Sequence, residues 1–143
     1  MMVKQLAVFL ENKKGRLMNL VSLLAKNEID LYALSIADTT NFGILRALTN
    51  DTDKAIRILK EAGYMVNVTE VISAEVPDKP GGLAGVLDIL DSNGISIEYL
   101  YSFVKNSGTT ALILFRVSDT EKAVDVLKSA GVKLVDKEEL DAM

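Results

Sequence analysis

The chain has 143 residues, 49% apolar and 25% charged, with 16 Lys and Arg against 20 Asp and Glu for a net charge of −4 and a pI of about 4.9. That balance is ordinary for a soluble globular protein and has the wrong sign for a nucleic-acid surface, so DNA and RNA are not expected partners. Cysteine and histidine are both absent, which excludes a disulfide framework, Cys-ligated zinc and thiol catalysis and removes the commonest general base. No metal or cofactor is expected. No apolar run approaches the ~18–20 residues of a membrane span and the N-terminus lacks a signal-peptide pattern, so the expected compartment is the cytoplasm, with no membrane contact.

Leu6, Val8 and Leu10 alternate with Gln5, Ala7 and Phe9, a period of two that predicts a strand with one buried face. Asn12 to Gly15 breaks it. From Arg16 to about Lys26 the apolar residues Leu17, Leu20, Val21 and Leu24 fall at i, i+3, i+4 and i+7, the stripe of an amphipathic helix. Ile29 to Ala37 reads as a second strand, and Asp38-Thr39-Thr40-Asn41 has the turn chemistry to join it to a third, Ile44 to Thr49. Asn50, Asp51 and Thr52 offer cap oxygens to a second helix carrying Ala55, Ile58, Leu59 and Ala62 and ending at Gly63. Tyr64 to about Thr69 completes β-α-β-β-α-β, and the next strand follows at Val71 to Val76 with little spacer.

The second half replays the first. At an offset of 66, Leu6 pairs with Ile72, Gly15 with Gly81, Leu17 with Leu83, Asn27 with Asn93 and Ile29 with Ile95; after the hairpin the offset becomes 68, pairing Leu59 with Leu127 and Gly63 with Gly131. The second hairpin is longer, around Asn106-Ser107-Gly108. Residues 1–69 and 70–143 are therefore read as two repeats, and residues 136–143, mostly charged, as a tail that frays. The expected fold class is α+β: two tandem ferredoxin-like βαββαβ repeats, each an antiparallel sheet with both helices on one face. Leu34, Ile36 and Leu45, and in the second repeat Leu100, Phe103, Leu112 and Leu114, put apolar residues on both sides of the middle strands. Something is expected to cover the second face or the strand edges.

Each repeat carries one turn with chemical potential, Glu11-Asn12-Lys13-Lys14-Gly15-Arg16-Leu17 and Pro77-Asp78-Lys79-Pro80-Gly81-Gly82-Leu83. A helix that starts just after glycine lets a ligand approach the backbone, and its free N–H groups and dipole favour a carboxylate. Asn12 and Asp78, three residues before each glycine, offer an oxygen to an ammonium group; the two receptors together describe an α-amino acid. The same residues also read as a plain turn, a strand terminator and a flexible helix start. Lys13, Lys14 and Lys79 read as solvated charges, and Arg46 and Arg116 as edge residues or carboxylate partners.

Tandem βαββαβ repeats with a strand, a D-x-P-G-x-L-like turn (DKPGGL at 78–83), an amphipathic helix and then N-x-I (Asn27-Glu28-Ile29, Asn93-Gly94-Ile95) resemble ACT domains over residues 4 to about 135. The first turn, NKKGRL, departs from the pattern in lacking the proline and having Asn for Asp. The resemblance implies a regulatory module that binds an amino acid at the interface of paired domains, between the first turn of one and the start of strand 2 of the other. Carried over by position, the ligand residues are Asn12, Gly15, Arg16 and Leu17 with Asp78, Gly81, Gly82 and Leu83, then Asp30, Leu31, Ser96 and Ile97. It further implies a non-enzymatic sensor of a free amino acid, a homodimer, that signals to a partner such as an enzyme of amino-acid metabolism. The competing reading is a ligand-independent assembly subunit, as the regulatory subunits of acetolactate synthase are. An enzyme on this scaffold would need a clustered acid and base, and Asp30, Asp38, Asp78, Glu98 and Tyr99 are spread over separate loops and strands.

Overall fold

A computed structural model describes residues 2–11, 13–38, 41–104 and 110–143. The elements run β1 (Met2–Glu11), α1 (Arg16–Lys26), β2 (Leu31–Asp38), β3 (Phe42–Thr49), α2 (Thr52–Glu61), β4 (Met65–Pro77), α3 (Gly82–Ser92), β5 (Ile97–Ser102), β6 (Thr110–Val117), α4 (Thr120–Ser129) and α5 (Lys137–Asp141). Two compact units divide the chain, an N-terminal one at Lys4–Thr69 and a C-terminal one at Glu70–Met143 together with the start of β1. The expected fourth and fifth strands are a single strand, β4, because nothing between Thr69 and Val71 breaks the extended backbone: no Gly, no Pro and no turn-forming side chain intervenes.

In the N-terminal unit β3 lies between β1 and β2, antiparallel to both. Pairing sets Leu6 opposite Ala47, Val8 opposite Leu45 and Leu10 opposite Gly43. These side chains share one face of the sheet, and Leu20 and Leu24 of α1 and Ala55 and Leu59 of α2 close over it as one core. The helix stripes predicted from spacing supply that core, except that Leu17 is 39% exposed at the open end of α1 and Ala62, just past the end of α2, is exposed. Ile36 pairs with Leu45 and Leu34 with Ala47, so both face the helix layer rather than the far side. They stay 40% and 37% exposed because β2 is the outer strand of the three and the helices do not reach over it.

The C-terminal unit repeats this plan. In it β6 lies between β4 and β5, with Ile72 opposite Phe115 and Ala74 opposite Ile113, and Val86, Leu90, Ala123 and Leu127 pack over that face. Its last strand is reduced to a bridge between Ala74 and Leu134, with Glu75 N–H donating to the Lys133 carbonyl at 2.9 Å and Val135 N–H to the Ser73 carbonyl at 2.8 Å. On the far face Leu112 and Leu114 are buried, in line with the expectation that this face is covered. The segment expected to fray instead forms α5: Asp136 accepts a hydrogen bond from Glu139 N–H at 2.9 Å, and Leu140 is only 1% exposed. A buried leucine and a side-chain cap offset the ordering of the terminus. The Asn106-Ser107-Gly108 turn lies outside the described residues.

Candidate functional site

The two strand-to-helix turns share one backbone geometry. In the second, Lys79 N–H donates to the Pro77 carbonyl at 2.9 Å and Gly82 N–H to the Lys79 carbonyl at 3.0 Å; Gly85 N–H then closes the first helical turn on the Gly81 carbonyl at 3.0 Å. In the first, Lys13 N–H reaches the Glu11 carbonyl at 2.8 Å, Arg16 N–H the Lys13 carbonyl at 3.2 Å and Asn19 N–H the Gly15 carbonyl at 2.9 Å. Gly15 and Gly81 are left-handed, with φ of 88° and 86°, and no side chain caps either helix. The glycines are therefore required by backbone conformation. The first helical amide, expected to be free, is tied back into the turn; the helical amides left unpartnered among the described residues are Leu17 and Met18 N–H at the start of α1 and Leu83 and Ala84 N–H at the start of α3.

The turns differ in their surroundings. A Cβ on Gly82 would sit 2.0 Å from the Pro77 carbonyl oxygen, so the second turn is tight enough to exclude any side chain where the first holds Arg16. Glu11, a residue that sequence reasoning passed over, dominates the first turn: it pairs with Lys13 at 2.9 Å and loosely with Arg16 at 3.4 Å. The hydrogen bond from Lys13, then the charges of Lys13 and Arg16, hold the Glu11 carboxyl below the usual carboxylate range. Arg16 and Leu17 line an open cleft of about 460 Å³ with Glu11, Lys13 and Ile36. Asp78 is exposed and makes no hydrogen bond or ion pair among the described residues; it lines a cleft of about 480 Å³ with Lys79, Thr110, Glu75 and Lys133. Glu75 and Lys133, 3.9 Å apart, could not have been assigned to this cleft from sequence, because they come from a strand and a helix-to-strand junction far apart in the chain. Asn12 lies outside the described residues.

Asp30, Leu31, Ser96 and Ile97 sit at the other end of each unit. Asp30 N–H donates to Asn50 Oδ1 at 2.8 Å and Ser96 N–H to Ser118 Oγ at 3.1 Å, equivalent clamps on the start of β2 and β5. Because Glu11 pairs with Phe42 at one end of β3 while Leu31 pairs with Thr49 at the other, the turn and the β2 start are separated by a strand length, roughly 25 Å. A single unit does not bring the two sets together. The N-x-I residues serve the fold: Asn27 and Asn93 donate from Nδ2 to the Leu23 and Ile89 carbonyls at 2.9 and 2.7 Å, and Ile29 and Ile95 are buried. Arg116 pairs with Glu98 at 3.2 Å and donates to the Glu70 carbonyl at 2.9 Å.

A family model described as an ACT domain pair matches residues 1–143. The chain belongs to the ACT domain pair family. ACT pairs are regulatory modules that bind small molecules, and this one has the family's tandem ferredoxin-like repeats. A crystal structure of a protein from Bacteroides thetaiotaomicron shares 43% identity and a TM-score of 0.93, covering 100% of this chain and 98% of that one. The ligand-free regulatory subunit of aspartate kinase from Thermus thermophilus shares the fold at 15% identity and a TM-score of 0.62, covering 89% and 91%. That from Thermus flavus does so at 13% and 0.61, covering 90% and 92%. A search of curated proteins returns no match. No helix among the described residues is long and apolar enough to cross a membrane.

Proposed function

We propose that this ACT pair, with residues 1–69 and 70–143 as its repeats, binds a free α-amino acid and passes its occupancy to a partner enzyme of amino-acid metabolism. The observation that carries the reading is the pair of unpartnered amides behind a left-handed glycine, Leu83 and Ala84 after Gly81, in the same turn as the Asp78 carboxylate, which is unengaged among the described residues. The amides and the helix dipole suit the ligand's carboxylate, and Asp78 suits its ammonium. Gly15, Arg16 and Leu17, with Asn12, form the corresponding set in the first repeat. Asp30, Leu31, Ser96 and Ile97 lie at the opposite end of their own units, so they would meet a ligand only across a pairing, which in this reading a second copy of the chain supplies. Binding then biases the equilibrium between paired arrangements by its differential affinity for them.

The test is a thermal-shift panel of the purified protein against the twenty amino acids. A ligand at a hundred times its dissociation constant stabilises by about 2.7 kcal/mol, a shift of several degrees for a protein of this size. A rise with one amino acid or one related group supports the sensor. A flat panel together with a ligand-independent complex captured with an enzyme would replace it with the assembly-subunit reading.

A further inference from the structure

Each unit has a cleft at the same place in its repeat. In the N-terminal unit the end of β1, the start of β3 and the junction after α2 enclose about 190 Å³; in the C-terminal unit the end of β4, the start of β6 and the junction after α4 enclose about 480 Å³. By the repeat offsets Phe9 answers to Glu75, Phe42 to Thr110, Tyr64 to Val132 and Met65 to Lys133. The first cleft is therefore aromatic and apolar, with Phe9, Phe42 and Met65 exposed at it. The second is polar, and Asp78 and Lys79 of its turn join Glu75, Thr110 and Lys133 in the lining. The two units fold alike around these clefts, so packing does not account for the difference.

We infer that the amino acid held at the second turn carries a hydrogen-bonding side chain, not a branched aliphatic or aromatic one. That preference rests on the amino-acid receptor proposed above. Because Asp78 lines the cleft, a ligand whose ammonium sits on Asp78 has Glu75, Lys79, Thr110 and Lys133 as the surroundings of its side chain. Glu75 accepts hydrogen bonds, the two lysines donate them and the Thr110 hydroxyl does either. Both signs of charge are present, so the lining selects for polarity rather than for one charge. Lys133 stands 3.9 Å from Glu75 and 3.4 Å from Glu139; the longer separation exceeds a hydrogen bond, which leaves the Glu75 carboxylate able to take one from a ligand. Val86 and Val132 offer apolar contact to the carbon stem of the side chain. A wholly apolar side chain in this place would desolvate the charged groups and return no hydrogen bond.

Isothermal titration of the full chain with two sets of amino acids tests this: serine, threonine, asparagine, glutamine, aspartate, glutamate, lysine and arginine against valine, leucine, isoleucine, methionine and phenylalanine. The tightest binder is expected in the first set, at least about tenfold ahead of every member of the second. A tightest binder from the second set would overturn the inference and leave the amino-acid receptor standing, whereas no binding by any of them would sink the receptor and the inference with it. A second experiment gives the C-terminal cleft the lining of the N-terminal one, by Glu75→Phe, Thr110→Phe and Lys133→Met together. Asp78 and the helix amides are untouched, so binding should persist while the preferred polar amino acid loses about tenfold or more against the apolar set. Circular dichroism checks the fold of this variant, and Lys133→Met alone, at an exposed position, should shift the preference in the same direction by less. An unchanged order of preference in either variant would overturn the inference.

Discussion

Gly82 and Gly85 lie one turn apart on α3 and answer to different constraints. At Gly82 a methyl group would sit 2.0 Å from the Pro77 carbonyl oxygen, an atom of the backbone rather than the end of a flexible side chain; at Gly85 nothing lies within 4 Å. Gly82→Ala is therefore expected to destabilise by about 2–3 kcal/mol through overpacking. Gly85→Ala should stabilise by about 0.5–1 kcal/mol, since alanine fixes the helix with less entropy loss. Urea denaturation of the two variants gives the sign directly; equal effects would show that the turn relaxes around the added atom. The sequence marks Gly81-Gly82 as a pair without saying which is irreplaceable. Conformation demands Gly81, with φ of 86°, and a single close approach demands Gly82, something only coordinates reveal.

Among elements, α5 is the one whose presence the chain disguised. Its five residues are mostly charged, so no apolar period announces it, but Asp136 followed by Glu139 is a capping pair and Leu140 supplies one buried anchor. Leu140→Ala should cost about 2–4 kcal/mol as a buried leucine, and Asp136→Ala about 1 kcal/mol as a lost cap; thermal melts of the two would rank them in that order. A smaller loss at Leu140 would mean that α5 contributes little to its unit. By contrast α1 was legible to the residue, Arg16 to Lys26, because a turn precedes it, four apolar positions repeat at helical spacing, and Asn27 ends it. The join within β4 was not legible: a repeat boundary needs no break in the backbone when two strands meet end to end. The strand faces were misread at Leu34 and Ile36 for a related reason, since alternation gives the period while the pairing partners, Ala47 and Leu45, decide which face is which.

At the scale of the whole molecule the two turns, alike in backbone, are unlike as receptors. In the first turn Arg16 and Lys13 already share Glu11, so an incoming carboxylate meets cations that are partly neutralised, beside a carboxylate that repels it. In the second, Asp78 has no partner among the described residues and the first helical turn leaves Leu83 and Ala84 N–H unpartnered. If the proposed function holds, the amino acid identified by the thermal panel should bind with one site per chain, at the second turn. Isothermal titration checks this in three proteins. Asp78→Ala removes a charged hydrogen-bond partner worth about 1.5–3 kcal/mol and should weaken binding roughly ten- to a hundredfold. Glu11→Ala leaves the second turn untouched and should leave affinity unchanged. Two sites per chain in the wild type, or a loss in Glu11→Ala matching that in Asp78→Ala, would show that both turns hold ligand and that the charge frame of the first does not oppose it.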